Sequence, residues 1–374
     1  MTIVVFCPNL VGDTVMATPA IRTLRKAHPA ARLVGVIKPH VAPTLDGNPW
    51  FDALIHLDPK ARDPRHRTLG ALALLRAERA ELAVLMPNSI RSALIAFAAG
   101  ITRRVGYARG GRGVLLTDRL AVAREADGQR KVVPAVEYYL ALVRHLGCRV
   151  ESIRPELATT ADDEAAADLA WTTLNLRSEK PVVCINTGGA FGPAKNWPEP
   201  YFAELARRLA TTAGVRVLVV CGPSERSAAR AIVAGAGHPE VVSLAEMNLS
   251  IGLTKACVRR SSLMITTDSG PRHFAAAFGT PVISLFGPTH IAWTRTQHPQ
   301  AVHLFRPVPC GPCQKPVCPE GHHRCMTELT PDAVFRTALR MLPTRLREER
   351  LTIINAVQGE PGECHSSSNE SPRG

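Results

Sequence analysis

No apolar run in this 374-residue chain approaches the ~18 residues that a membrane-crossing helix needs. Met1 to Asp13 lacks the basic start, apolar centre and small-residue cleavage site of a secretory leader, and reads instead as a strand over Thr2–Phe6. Neither G-x-G-x-x-G nor G-x-x-x-x-G-K-[ST] occurs, which removes the main support for a nicotinamide enzyme or a P-loop NTPase. Aromatic residues make up only 5% of the chain, sparse for a surface that stacks nucleic-acid bases. Of the ten cysteines, Cys7, Cys148, Cys184, Cys221 and Cys257 stand singly in apolar stretches, as small buried hydrophobes do, and make no disulfide framework. These absences predict a soluble, cytoplasmic protein in a reducing compartment.

What is present suits two domain-sized cores, with 45% apolar residues over this length. The net charge of +13 is uneven: residues 1–160 hold 23 Lys/Arg against 13 Asp/Glu, or +10, leaving +3 for the remainder. The amino half should therefore meet an anion, whether nucleic acid, an anionic membrane surface or an acidic acceptor. Lys60, Arg62, Arg65 and Arg67 crowd one Pro-containing loop, and Arg103, Arg104, Arg109 and Arg112 another.

Short β-rich runs alternate with helical stretches throughout. In the first half strands are predicted at Thr2–Phe6, Arg32–Ile37, Ala53–Leu57 and Leu82–Met86, with helices at Thr14–Ala27, Thr68–Arg79, Ile90–Ala99 and Val133–Leu146. The second half repeats the rhythm with strands at Val182–Asn186, Arg216–Cys221, Val241–Leu244, Leu263–Thr266 and Val282–Phe286. Alternation of this kind implies an α/β protein with two parallel, helix-covered sheets. The polar stretch from Glu151 to Asp163, with Pro155, marks the boundary, giving domains 1–161 and 162–345. The segment 346–374 has no apolar periodicity from Glu360 onward and is predicted to be a disordered tail with Cys364 as an unpaired thiol.

Three loops carry chemistry. Thr267-Asp268-Ser269-Gly270-Pro271-Arg272-His273 joins a strand to a short helix, with Ser269 and Pro271 as good N-cap and N1 residues, so free N–H groups and the positive dipole end suit phosphate. Thr187 to Pro198 is glycine-rich and ends in Lys195, a point charge suited to a leaving diphosphate. After the first strand comes Cys7-Pro8-Asn9-Leu10-Val11-Gly12-Asp13-Thr14, where Asp13 is either a helix N-cap or a general base at the sheet's carboxyl edge.

Asn9-Leu10-Val11-Gly12-Asp13, Pro87-Asn88-Ser89, Phe191-Gly192-Pro193-Ala194-Lys195-Asn196-Trp197-Pro198 and Thr267-Asp268-Ser269-Gly270 with His273 occur in that order. The chain resembles the ADP-heptose:lipopolysaccharide heptosyltransferases, most of all their heptosyltransferase II branch, from about residue 2 to 342. The resemblance implies a GT-B fold, two Rossmann-like domains facing across a cleft, with the acceptor on the first and the nucleotide-sugar on the second. It implies inverting, metal-independent transfer of L-glycero-D-manno-heptose from ADP-heptose to the lipopolysaccharide inner core, heptosyl-Kdo2-lipid A, at the cytoplasmic face of the inner membrane. On that footing Asp13 is the base and Lys195 meets the departing diphosphate, helped by backbone N–H groups at Ser269 and Gly270. Thr187, Gly188, Asp268, Ser269, Gly270, His273, Gly287 and Thr289 should contact the donor, Asp268 through sugar or ribose hydroxyls. Arg62, Arg65, Arg67, Asn88, Ser89 and Arg91 should contact the acceptor, and peripheral contact with an anionic membrane surface follows. No catalytic cofactor is implied.

Cys310, Cys313, Cys318 and Cys325 follow a C-x2-C-x4-C-x6-C spacing, with His322 and His323 as possible substitutes. Such soft ligands suit a structural zinc, and the other reading is a redox-labile loop of reduced thiols. Two further functions fit less of the chain. One is another sugar-nucleotide enzyme, either a family relative with a different sugar or acceptor or an epimerase. The other is a basic nucleic-acid-binding protein with a zinc module, whose difficulty is that the basic excess lies far along the chain from the cysteines.

Overall fold

The computed structural model describes residues 1–189 and 191–342, so the tail predicted for 346–374 and Cys364 lie outside the described residues. The first unit runs β1 (Thr2–Phe6), α1 (Val11–Ala27), β2 (Arg32–Ile37), β3 (Ala53–His56), α2 (Thr68–Ala77), β4 (Leu82–Leu85), α3 (Ile90–Ala98), β5 (Arg103–Tyr107), β6 (Asp118–Leu120) and α4 (Ala135–His145). After a stretch without regular structure come α5 (Ala161–Thr173), β7 (Val182–Asn186), α6 (Glu199–Thr211), β8 (Arg216–Val220), α7 (Arg226–Ala236), β9 (Val241–Ser243) and α8 (Ile251–Arg260). The second unit ends with β10 (Leu263–Thr267), α9 (Gly270–Phe278), β11 (Val282–Phe286), β12 (Ala301–Phe305), α10 (Arg324–Thr327) and α11 (Pro331–Met341).

The two sheets have one topology used twice. The first is ordered β3-β2-β1-β4-β5-β6 and the second β9-β8-β7-β10-β11-β12, every pairing parallel. Central strands are apolar along their length because both faces are covered, and β4, β7 and β10 are buried at every position. In each sheet the winding direction reverses between the first and fourth strands, so a crevice opens outside their carboxyl ends. Asp13, Asn88, Thr187 and Asp268 all follow one of those four strands.

Helices α2 and α3 cover one face of the first sheet, and α1 and α4 the other. Val15 of α1 belongs to the second unit's core, packed with Leu253, Phe274 and Ala275. Lys255 on α8 adds a polar tie, fully buried, with Nζ donating to the carbonyls of Asp46 at 3.0 Å and Ala158 at 2.9 Å and lying 3.4 Å from Asp163. A buried ammonium is tolerated only with such partners, and these come from both sides of the boundary.

Helix α1 begins at Val11 rather than at the predicted Thr14. Leu10 occupies its N-cap and makes no side-chain cap, so no capping residue marks the start. Asp13 is therefore inside the first turn and is not the N-cap. Strands β5, β6 and β12 have no counterpart among the predicted strands. β6 is only three residues long, β5 opens on two arginines, and the apolar residues of the edge strand β12 are interrupted by His303.

Candidate active site

The N-terminal ends of α1 and α9 abut across the boundary. A Cβ on Gly12 would lie 2.8 Å from Cδ2 of His273, and one on Gly270 would lie 3.3 Å from Cβ of Val11. Neither helix receives a side-chain cap, since Leu10 has nothing to offer and the Ser269 hydroxyl is turned to Asn186 Oδ1 at 2.8 Å and Thr266 Oγ1 at 3.0 Å. Two positive dipole ends with first-turn N–H groups thus converge on one place, which favours an anion. Ser269 is an N-cap by position only, and its N–H donates to the Thr267 carbonyl at 2.8 Å, so that N–H is not free for the phosphate contact expected of it.

Asp13 lies at this junction. Burial raises its carboxyl to about 6, with Lys195 pulling it down and Asp268 pushing it up. A carboxylate so placed accepts protons more readily than an ordinary one yet is still mostly ionised at neutral pH, which suits a general base. His273, also at the junction, is held neutral, mainly by burial and then by Arg272, with its pKa lowered to about 3. Its Nδ1 is buried without a hydrogen-bond partner.

Lys195 leaves a 3-10 turn over Pro193–Lys195 and reaches Asp268, with Nζ 2.7 Å from Oδ2 and 2.9 Å from the backbone carbonyl. The Asp268 carboxylate also accepts from Thr289 Oγ1 at 2.7 Å, Arg272 Nη1 at 3.3 Å and Thr294 Oγ1 at 3.3 Å. Burial alone would raise its pKa, but the two cations and these donors hold it at about 2. The contact with donor hydroxyls expected of Asp268 is not what the geometry offers, because its oxygens are already filled; it positions Lys195. Thr289 is likewise spent on Asp268. Gly287 serves packing, since a Cβ there would meet Sδ of Met326 at 2.4 Å.

Beside this network a cavity of about 530 Å³ opens over the carboxyl ends of β7 and β8, lined by Thr187, Gly188, Gly189, Ser224 and Glu225 among others. Glu225 Oε1 would stand 2.2 Å from a Cβ on Gly188, so only glycine leaves room for that carboxylate. The hydroxyl of Thr187 is buried here without a protein partner, as expected where a ligand completes the bonding. Glu225 lies in Gly222-Pro223-Ser224-Glu225 after β8, the segment where the family resemblance puts adenosine contacts without fixing a ribose-binding acid.

A second cavity, of about 670 Å³, lies on the amino-terminal side, and Asp13 is in its wall. Asn88, Arg109, Arg119, Arg130 and Lys131 line it, and Trp293 and Thr294 from the second unit close it. Asn88 Oδ1 accepts from Tyr138 Oη at 2.9 Å and from Nη2 of the buried Arg112 at 3.3 Å. Tyr138 stacks on Tyr107 with ring centroids 3.8 Å apart. Arg112, grouped by sequence with surface arginines, is an internal strut. The acceptor loop expected from Arg62, Arg65 and Arg67 does not line this cavity. Arg65 pairs with Asp63 at 2.8 Å, and Arg67 Nε donates to the Ala61 carbonyl at 2.9 Å, both exposed. Ser89 caps α3 through the Arg91 N–H at 3.1 Å, and Arg91 points into solvent.

The cysteine loop braces the site. Among the described residues no three His, Cys, Asp or Glu side chains converge to hold an ion. Cys310 Sγ lies 3.8 Å from His322 Nε2, and Cys325 on α10 is half-buried, its thiol pKa raised by burial and then by the neighbouring Cys318, Cys310 and Cys313. Backbone bonds from Ala194 N to Pro316 O at 3.0 Å and from Gln314 N to Pro288 O at 2.8 Å tie this loop to the segments bearing Lys195 and Thr289.

Residues 72–324 match glycosyltransferase family 9 (heptosyltransferase). Lipopolysaccharide heptosyltransferase 2 of Escherichia coli is 28% identical over 359 residues, covering 90% of this chain and 97% of that protein. The structure of ADP-heptose lps heptosyltransferase II from Escherichia coli superposes with a TM-score of 0.73 at 25% identity, covering 93% of this chain and 99% of the other. A family 9 glycosyl transferase from Veillonella parvula superposes with a TM-score of 0.76 at 21% identity, covering 91% and 96%.

Proposed function

Because this chain belongs to glycosyltransferase family 9, the heptosyltransferases, we propose that its two cavities take an ADP-heptose donor and a lipopolysaccharide inner-core acceptor. The reaction is heptose transfer to heptosyl-Kdo2-lipid A. The observation that supports it most directly is Asp13, a carboxylate with a raised pKa in the wall of the basic cavity and within the field of Lys195.

In this reading the nucleotide lies over β7 and β8 with Glu225 facing its hydroxyls, and the diphosphate rests on the first turn of α9 beside Lys195. Asp13 removes the proton of the acceptor hydroxyl, which attacks the anomeric carbon from the side opposite the departing diphosphate and inverts it. Lys195 and the helix end meet the charge that builds on the leaving group, and no metal takes part. Arg109, Arg119, Arg130 and Lys131 face the acceptor's phosphates and acidic sugars, and the acceptor's lipid places the protein against an anionic membrane.

The test is ADP release from ADP-heptose with and without the inner-core acceptor. Acceptor-dependent release supports the reading, and release without acceptor would point to chemistry on the donor alone. The rate should rise with pH through a midpoint near 6, because a base with a raised pKa works only once deprotonated. A flat profile from pH 5 to 8 would remove Asp13 from that role. Arg109→Ala or Arg119→Ala should raise the acceptor KM about tenfold and leave the donor KM unchanged, whereas Arg65→Ala should do less. A larger effect at Arg65 would restore the loop first expected from sequence.

A further inference from the structure

Among the described residues nothing covers the outer surface of α2 and α3, and it carries most of the large exposed hydrophobic side chains of the first unit. Ile90, Leu94 and Phe97, at i, i+4 and i+7 of α3, are 56%, 53% and 54% exposed along one stripe. Val114, in the 3-10 turn over Arg112–Leu115 that packs against α3, is 81% exposed. Helix α2 is joined to α3 by Arg76, whose guanidinium donates to the Ala98 carbonyl, and adds Leu69 at 80%. A contiguous apolar surface of this kind marks an interaction site.

Its charge says what it meets. Residues 82–117 contain no Asp or Glu, and α2 has no acid either. Arg67 and Arg76 bond only to backbone carbonyls, so their charges are uncompensated, and Arg91 stands exposed within the α3 stripe. The neighbouring acids, Asp63, Glu78 and Asp118, are paired with Arg65, Arg32 and Arg103. An apolar stripe set among unpaired arginines repels a second copy of itself and is complementary to anionic lipid headgroups over an acyl boundary.

We infer that the face formed by α2, α3 and the Arg112–Leu115 turn docks on an anionic phospholipid bilayer. The stripe starts at Ile90, two residues after Asn88 in the acceptor cavity wall, so docking sets that cavity's rim at the membrane. Only this last point rests on the function proposed above; the docking face itself rests on exposure and charge.

The experiment is sedimentation with vesicles of phosphatidylglycerol mixed with phosphatidylcholine, and with phosphatidylcholine alone. It requires neither donor nor acceptor, so it is decided separately from the transferase activity. The wild-type chain should bind the anionic vesicles at least about tenfold more tightly than the neutral ones. Leu94→Gln with Phe97→Gln, both exposed and replaced by a good helix former, should reduce that binding at least about tenfold while ADP release with a water-soluble acceptor fragment is retained. Wild-type protein that ignores anionic vesicles, or a double variant that binds as well as wild type, would overturn the inference. So would a wild-type dimer in solution that the double variant turns into monomer, which would assign the face to a second copy.

Discussion

Asp13→Asn should lower kcat by about 10²–10⁴-fold in the ADP-release assay while ADP affinity measured by calorimetry stays close to wild type. The side chain keeps its volume and loses only its basicity, so the loss would fall on the chemical step. Weak ADP binding with a modest loss of kcat would instead make Asp13 a residue that organises the junction. The same substitution should stabilise the fold. A carboxyl raised from 3.8 to about 6 by burial binds protons more tightly folded than unfolded. Its stabilising contribution is therefore full below about pH 4 and lost as pH rises through 6, leaving a buried charge at neutral pH. Relief of that charge is worth about 1–3 kcal/mol, discounted for residual solvent, and would appear as a higher Tm above pH 7 that vanishes near pH 4. Gain of stability with loss of turnover is the signature of a group held for chemistry.

Lys195→Ala should cost about 10²–10³-fold in kcat, because no other ammonium stands where the diphosphate leaves. It should also destabilise the protein by about 3 kcal/mol, since the buried Asp268 carboxylate loses a partner at 2.7 Å. Arg272, Thr289 and Thr294 remain on that carboxylate and keep the loss near the lower end of what a broken buried pair costs. Lys195→Arg should restore stability better than activity, because a planar fork and a point charge address an oxyanion differently. Equal recovery of both would leave Lys195 with only a structural role.

The fold was legible because parallel sheets covered on both faces write their central strands as continuous apolar runs: Thr2–Phe6, Val182–Asn186 and Val282–Phe286 fall where the pattern put them. The three-residue β6 and the His-interrupted β12 carry a weaker signal, and Arg103–Tyr107 begins as a pair of arginines. The junction residues Asp13, Lys195 and Gly270 were legible because strand-to-helix loops have their own grammar of glycine, proline and capping residues. Which side chain faces ligand and which faces its neighbours was not. Asp268 and Thr289 sit in ligand-binding sequence and spend their polar atoms on each other, and Gly287 spends its smallness on Met326. The basic cavity draws Arg109, Arg119, Arg130 and Lys131 from segments that share no motif, and only the tertiary fold collects them.

Gly12 and Gly270 bring two like electrical poles into contact. Left bare, α1 and α9 push against each other through their amino ends, and the apolar packing of Val15 and the Lys255 tie must hold them there. On the function proposed above, a diphosphate seated beside both ends would turn that repulsion into shared attraction. The two halves would then hold each other more firmly with nucleotide bound than without it, so the donor would double as a fastener of the fold.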